Sequence, residues 1–448
     1  MHHIRGNDFL DYLEKSKSKT VKPFRVHGEL VKIVGLVLEA KGCLGSIGSR
    51  FQIDSGNGIV TEAELIGFSG DVSYLLPLSH SQGLVPGSPV IPFEDGSSML
   101  VGDEMLGRVL NANGKAIDQG GALRLSERYP LHGRPINPLD RDFIEEPLDV
   151  GVRAINALLT IGKGQRIGLF AGTGVGKSVL LGMITRFTSA EVIVIGLIGE
   201  RGREVREFTD RIMNKEVFKK SVVVVTPADD PPLLRYQGAL TAMTICEYFR
   251  DQGKNVLLIM DSLTRFAQAQ REIALSIGEP PVSRGYPPSV FTKLPNLVER
   301  GGRLKNKGSI TSIYTVLTEG DDLQDPIADS ARGILDGHII LNRQLADQGV
   351  YPAISVLSSI SRVMSDIVSK DHNAASSFYK KMYATYTDQE DLINIGAYKN
   401  GTNKEIDEAI VHYPLLKKFI QQNPEDFCGF DESKKALFDM LKKEESKS

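Results

Sequence analysis

Residues Ala171 to Ser178 read AGTGVGKS, between the apolar run Ile167–Phe170 and a second apolar stretch that opens with Val179. Strand, glycine-rich turn and helix start follow in the order needed to hold a triphosphate. Glycines let successive backbone N–H groups turn towards phosphate oxygens, and a helix N-terminus adds its partial positive charge. The pattern assigns Gly172, Thr173, Gly174, Val175, Gly176, Lys177, Ser178 and Val179 to nucleotide binding. Lys177 is expected to reach the β- and γ-phosphates, and the Ser178 hydroxyl to take a Mg²⁺ coordination position. One departure stands out: Ala171 replaces the first glycine of the pattern, leaving Gly172, Gly174 and Gly176 to supply the flexibility.

Two carboxylates extend this constellation. The apolar run Val256–Met260 ends in Asp261. The tip of a strand beside the phosphate-loop strand is where Mg²⁺ takes a carboxylate, usually through water. Glu200 follows another apolar run, in Leu197-Ile-Gly-Glu-Arg-Gly-Arg-Glu204. A carboxylate fixed there could polarise the water that attacks the γ-phosphate. An apolar strand ending in Asp is common, and Glu200 alone also reads as a surface helix cap. Together with Lys177 they make a site.

These residues need a scaffold. From Val152 onward the runs 167–170, 192–198, 222–225, 256–260, 310–317 and 338–341 are mostly apolar and alternate with helical segments. That texture predicts an α/β fold with a mostly parallel sheet covered on both faces. Upstream, residues 25–93 alternate in short glycine-broken runs, as a small β-barrel or sandwich does. The stretch 102–146 is rich in Gly, Pro and Asp and reads as an irregular link. The strands stop near Asp371, and 374–392, 403–422 and 431–443 have helical spacing. The expected division is a docking segment 1–24, a barrel 25–93, an ATPase domain 94–371 and a helical region 372–448.

Composition sets bounds on all this. At 448 residues, 41% hydrophobic and 24% charged, the chain has the make-up of a globular protein of two or three domains. A net charge of −3 argues against wholesale nucleic-acid binding. Cys43, Cys246 and Cys428 form no metal spacing and suggest a reducing compartment. With neither a signal peptide nor a membrane-spanning run, a cytoplasmic location is expected.

The order AGTGVGKS, GLIGERGRE, LLIMDSLTRFAQAQREI, GEPPVSRGYPPSVFTKLPNLVERGG, TEGDDLQDPIADSARGILDGHI and YPAISVLSSISRV resembles the export ATPases of bacterial type III secretion systems. That family is similar throughout to the catalytic subunit of rotary ATP synthases. The wording of the 318–339 stretch and of Ile395-Gly-Ala-Tyr398 is closer to the flagellar branch than to the virulence injectisomes. The resemblance implies a RecA-like P-loop ATPase core using ATP and Mg²⁺, with an N-terminal barrel and C-terminal helices. It implies Lys177, Glu200, its neighbour Arg201 and Arg362 as catalytic, Arg265 as an active-site arginine, and Ser178 and Asp261 on the metal. Tyr351 matches the aromatic that stacks on adenine, a flat π-face for a flat base. Arg362 matches the arginine that a neighbouring subunit points at the γ-phosphate, and such a finger stabilises transition-state charge.

A finger in trans requires head-to-tail assembly, which should close as a ring. The implied assembly is a homohexamer, and its implied partners are a regulatory stator-like protein at the N-terminus, a central stalk protein, the export gate and chaperone–substrate complexes. Peripheral association with the cytoplasmic face of the export apparatus goes with them, and nucleic acid does not. Besides a virulence injectisome ATPase of the same family, three alternatives differ in kind: a proton-driven ATP synthase subunit, a hexameric RNA translocase and an idle nucleotide-binding scaffold. The translocase would need stacking aromatics and a basic groove on the barrel, where residues 25–92 offer only Phe51, Phe68 and Tyr74 as rings. The scaffold has no use for Glu200, Asp261, Lys177 and Arg362 together.

Overall fold

A computed structural model describes residues 27–56, 60–79, 83–209, 213–318 and 325–442. The proposed docking segment 1–24 lies outside these residues. The chain divides into two compact units, residues 1–95 and 96–448.

The first unit is a closed antiparallel barrel of β1 (Gly28–Val34), β2 (Val37–Lys41), β3 (Ser49–Asp54), β4 (Val60–Ser69), β5 (Val72–Pro77) and β6 (Pro89–Asp95). Its order is β1-β2-β5-β4-β3-β6, and β6 returns to β1 through Gly28 opposite Val90. Alternation places Leu30, Leu38, Phe51, Ile53, Leu65, Leu75 and Val90 in the interior, the period-2 signature read from the sequence. Phe51 is fully buried there, which removes it as a base-stacking ring.

The second unit is built on a nine-stranded sheet. Its strands are β8 (Arg108–Leu110), β10 (Arg166–Ala171), β11 (Val192–Glu200), β12 (Ser221–Pro227), β13 (Asn255–Asp261), β14 (Gly302–Arg303), β15 (Ser309–Leu317), β16 (Gly337–Ile340) and β17 (Ile360–Ser361). The order is β17-β16-β10-β15-β13-β11-β12-β8, with β14 alongside β15. All pairings are parallel except β14–β15 and β16–β17. A separate ribbon pairs β7 (Ser98–Val101) with β9 (Glu127–Pro130).

The stretch 102–146 is therefore not merely a link, because β8 extends the central sheet beside β12. Its three residues are too few to show periodicity. What fixes β8 is Asp118, which accepts from Arg108 Nε and Nη2 and from the Val109 N–H at 2.6–3.0 Å.

The helices that matter for the site are α1 (Arg153–Leu158), α2 (Lys177–Phe187), α3 (Gly202–Glu207), α4 (Pro232–Asp251), α5 (Leu263–Ser276), α6 (Pro288–Val298), α7 (Pro326–Ile334), α8 (Lys370–Asn394), α9 (Lys404–Ile420) and α10 (Phe430–Lys442). The terminal three share one continuous apolar core with the sheet: Tyr379, Met382, Leu416, Phe419 and Leu437 belong to the same cluster as Ile155, Leu181 and Ile195. Tyr379 donates its hydroxyl to the Leu416 carbonyl at 2.7 Å, so the ring is buried without leaving its polar end unpaired. Among the described residues no helix is long and apolar enough to cross a membrane.

Candidate active site

β10 carries the chain into the glycine-rich turn, and α2 starts at Lys177. Val175 is buried and anchors the turn. Gly176 takes φ 90°, and a Cβ there would lie 3.3 Å from the Tyr351 ring, so a side chain is opposed by both backbone and neighbour. No side chain caps α2, which leaves its first-turn N–H groups for an anion. Arg343 Nη2 donates to the Thr173 carbonyl at 3.0 Å and ties down the turn's exposed side.

Lys177 Nζ donates to both oxygens of Asp261, at 2.5 and 2.6 Å, and lies 3.5 Å from Glu200 Oε1. Burial by itself lowers the Lys177 ammonium, but Asp261 and Glu200 outweigh it and hold the group above its ordinary value. Burial pushes the Glu200 carboxyl up and contact with Glu204 adds to this, while Lys177 opposes. Burial likewise raises Asp261, against the pull of Lys177 and Thr315. A buried carboxyl held above its normal range is suited to accept a proton near neutrality.

β13 is not the immediate neighbour of the phosphate-loop strand, contrary to the sequence expectation. β15 lies between β10 and β13, and Asp261 reaches Lys177 across it. Thr315, buried in the middle strand, donates to Asp261 Oδ1 at 2.6 Å and fixes the carboxylate. A chain reading cannot order parallel strands, since every crossover returns at the same end.

Glu200 closes β11, whose pairing with β12 shifts register between Ile198 and Glu200. Gly199 makes this bend with φ 70°, and a Cβ there would stand 2.9 Å from Arg265 Cβ. Ser262 accepts from the Arg265 N–H at 3.2 Å and caps α5, while Arg265 Nη1 donates to Gln268 at 2.8 Å. Arg201 is exposed at the head of α3.

A cavity of about 440 Å³ runs beside the cluster, lined by Ser178, Val179, Glu200, Glu204 and Asp261 on one side and by Pro424 and Glu425 on another. Arg186, on α2, donates to both Glu425 oxygens at 3.0 Å and to the Pro424 carbonyl at 2.8 Å. Tyr351 is 41% exposed against Gly176, free to present its face to a base.

Arg362 lies elsewhere. It is exposed just after β17, with its N–H on the Asp336 carbonyl at 3.0 Å and Nη2 on the Arg332 carbonyl at 3.1 Å. Asp336 binds Arg166 at the start of β10. Arg362 thus stands at the amino end of the strand whose carboxyl end opens the phosphate turn, about 16 Å away at roughly 3.3 Å per residue.

Sequence reasoning missed Thr315, Glu204, Arg186, Arg343 and the 422–425 segment. Thr315 left one signal, a polar residue within an apolar strand, and Glu204 another, four positions beyond Glu200. Arg186 and Glu425 are 239 positions apart and left none.

Residues 151–361 match the ATP synthase alpha/beta family, nucleotide-binding domain, and residues 368–439 match the T3SS EscN ATPase C-terminal domain. The flagellum-specific ATP synthase of Pseudomonas aeruginosa is 54% identical over 93% of both chains. That of Salmonella typhimurium is 50% identical over 96% of both. Among solved structures, the assembled ATPase EscN from the enteropathogenic E. coli type III secretion system superposes with TM-score 0.89 at 46% identity, covering 92% of this chain and 100% of that one. EscN in complex with its central stalk EscO gives TM-score 0.86 at 44% identity over the same shares. With a P-loop, a buried Lys–Asp–Glu cluster and relatives of this similarity over nearly its whole length, the chain is an ATPase and belongs to the family of flagellum-specific ATP synthases.

Proposed function

We propose that this chain is the ATP hydrolase of a flagellar type III export apparatus, working as a homohexameric ring that energises the unloading and export of flagellar substrates. The observation that carries the reading is the placement of Arg362 at one end of β10 and the Lys177–Glu200–Asp261 cluster at the other. Neither can serve the other within one chain, whereas a head-to-tail neighbour brings the next Arg362 to this chain's cluster.

ATP lies with its phosphates on the turn 172–178 and its base against Tyr351. Lys177 leaves Asp261 for the β- and γ-phosphates. Ser178 and Asp261 are the oxygen donors that fit Mg²⁺, a hard cation, and both face the cavity. Mg²⁺ held by these two residues would neutralise charge developing on the phosphate oxygens. Glu200 orients a water in line with the γ-phosphorus and takes its proton. The neighbour's Arg362 stabilises the transition state, and Arg201 and Arg265 flank Glu200.

The flagellar assignment is supported by the names of the relatives at 50–54% identity. The stalk partner is supported by the EscN–EscO complex. The stator-like protein at residues 1–24, the export gate, the chaperone–substrate complexes on the C-terminal helices and a peripheral cytoplasmic location complete the proposal.

Two measurements test it. Turnover per chain must rise with protein concentration as rings form; a dilute monomer as fast as the assembly overturns the trans site. A clean deletion must abolish filament growth while leaving effector release intact, and the reverse outcome assigns the chain to an injectisome.

A further inference from the structure

Arg362 is useful only if its backbone is held still, and what holds it is a second charged pair. Asp336 accepts from Arg166 three times: Nη2 on Oδ1 at 2.9 Å, and Nε and the backbone N–H on Oδ2 at 2.8 and 3.1 Å. The main chain of Asp336 adds two bonds, its N–H to the Arg166 carbonyl at 2.8 Å and its carbonyl from the Arg362 N–H at 3.0 Å. Gln165 Nε2 also donates to that carbonyl, and to Ser361 Oγ, each at 3.0 Å. Arg166 is itself steadied by Glu299 at 2.5 Å. Its guanidinium is mostly shielded, as is the Asp336 carboxylate. A two-pronged, shielded pair fixes direction as well as distance, unlike a solvated surface pair.

We propose that Asp336, anchored by Arg166, is the positioning residue of the arginine finger. The inference rests on the reading of Arg362 as a group that serves the neighbouring subunit. Asp336 acts on Arg362 through the main chain and touches no reacting atom. Its mount is the first residue of β10, whose last residue opens the phosphate turn. One six-residue strand therefore ties the place where a chain holds its own nucleotide to the arginine it lends next door. Loss of the carboxylate frees the end of β16 to shift, and a displacement of about 1 Å at a catalytic group is enough to cost on the order of 100-fold.

The test uses mixed rings of the full-length chain. Lys177→Ala subunits keep the finger but lack their own site; Arg362→Ala subunits keep the site but lack the finger. Mixing the two must restore ATPase activity at their junctions; if it does not, the trans reading itself is wrong. Given restoration, Asp336→Asn is placed on one partner at a time. On the finger-donating Lys177→Ala chain it should lower the restored kcat at least tenfold with the ATP KM changed less than twofold. On the Arg362→Ala chain, whose finger is already absent, it should lower the rate no more than twofold, and Asp336→Glu on the donor should recover part of the loss. Equal losses on both chains would reduce Asp336 to a general structural role, and no loss on the donor would remove it from the mechanism.

Discussion

Lys177 Nζ lies 2.5 and 2.6 Å from the two carboxylate oxygens of Asp261, so the cation proposed for the phosphates and the carboxylate proposed for the metal satisfy each other directly. On the proposed reading, nucleotide binding exchanges these partners. Lys177→Ala should lower ATPase turnover by at least about 100-fold. It should also destabilise the fold by roughly 3 kcal/mol, since Asp261 and Glu200 are left buried without their cation. Adding Asp261→Asn should recover much of the stability and none of the turnover. Thermal denaturation and steady-state ATPase assays on the same preparations check both halves.

The raised Glu200 carboxyl has a sign that can be read kinetically. A general base works only when ionised, so kcat/KM climbs as pH rises through its pKa. Burial and Glu204 place that limb above the ordinary carboxylate value of about 4.3. Glu204→Gln removes one of the two causes and should move the acid limb to lower pH. A pH–rate profile identical to that of the unaltered chain would exclude Glu200 as the group responsible.

Arg362→Ala should reduce kcat by about 1000-fold while ATP binding to the individual chain stays within twofold, because the residue is distant from its own phosphate turn. Single-turnover hydrolysis and equilibrium nucleotide titration separate the two effects. A matching loss of affinity would place Arg362 within its own site.

Tyr351→Ala should raise the ATP KM about tenfold, the loss expected for one ring against a base, with little change in kcat. Tyr351→Phe keeps the π-face and should behave as the unaltered chain.

Asp118 predicts stability rather than rate. Hydrogen bonds from Arg108 hold its carboxyl down at about 2, well below the usual range. A carboxylate with a depressed folded-state pKa stabilises above its unfolded value, near 4, and loses that contribution as pH falls through about 2. Asp118→Ala should therefore cost roughly 1–2 kcal/mol at neutral pH, and the difference should shrink in acid. Denaturant titrations at pH 7 and near pH 2.5 measure it.

The elements that were legible are those whose physics is local. The strand–turn–helix around Lys177 announces itself because glycine flexibility, an uncapped helix start and flanking apolar runs all fall within about 20 residues. The barrel alternation and the C-terminal helical spacing are equally local. β8 was missed because three residues carry no period, and its place depends on Asp118 eight positions past its end. The insertion of β15 between β10 and β13 was hidden for another reason: parallel strands all point the same way, so nothing in the chain distinguishes neighbours from next-neighbours. Thr315 follows from that hidden order, and the Arg186–Glu425 contact joins segments that no short pattern spans.

Gln422 has a consequence for how portable this nucleotide pocket is. Its backbone N–H bonds the Tyr351 carbonyl at 2.9 Å, its side-chain oxygen accepts from the Arg153 N–H at 2.7 Å, and its amide donates to Gly151 and Asp426 at 2.8 and 2.7 Å. One glutamine thereby knots three remote stretches of chain. A version trimmed after the sheet, ending ahead of this knot, would keep every residue of the phosphate turn and still present ATP with an unbuttressed base pocket. Conversely, a tug on the terminal helices reaches the Tyr351 segment through Gln422 and through Lys417, which donates to Gln348 at 2.9 Å.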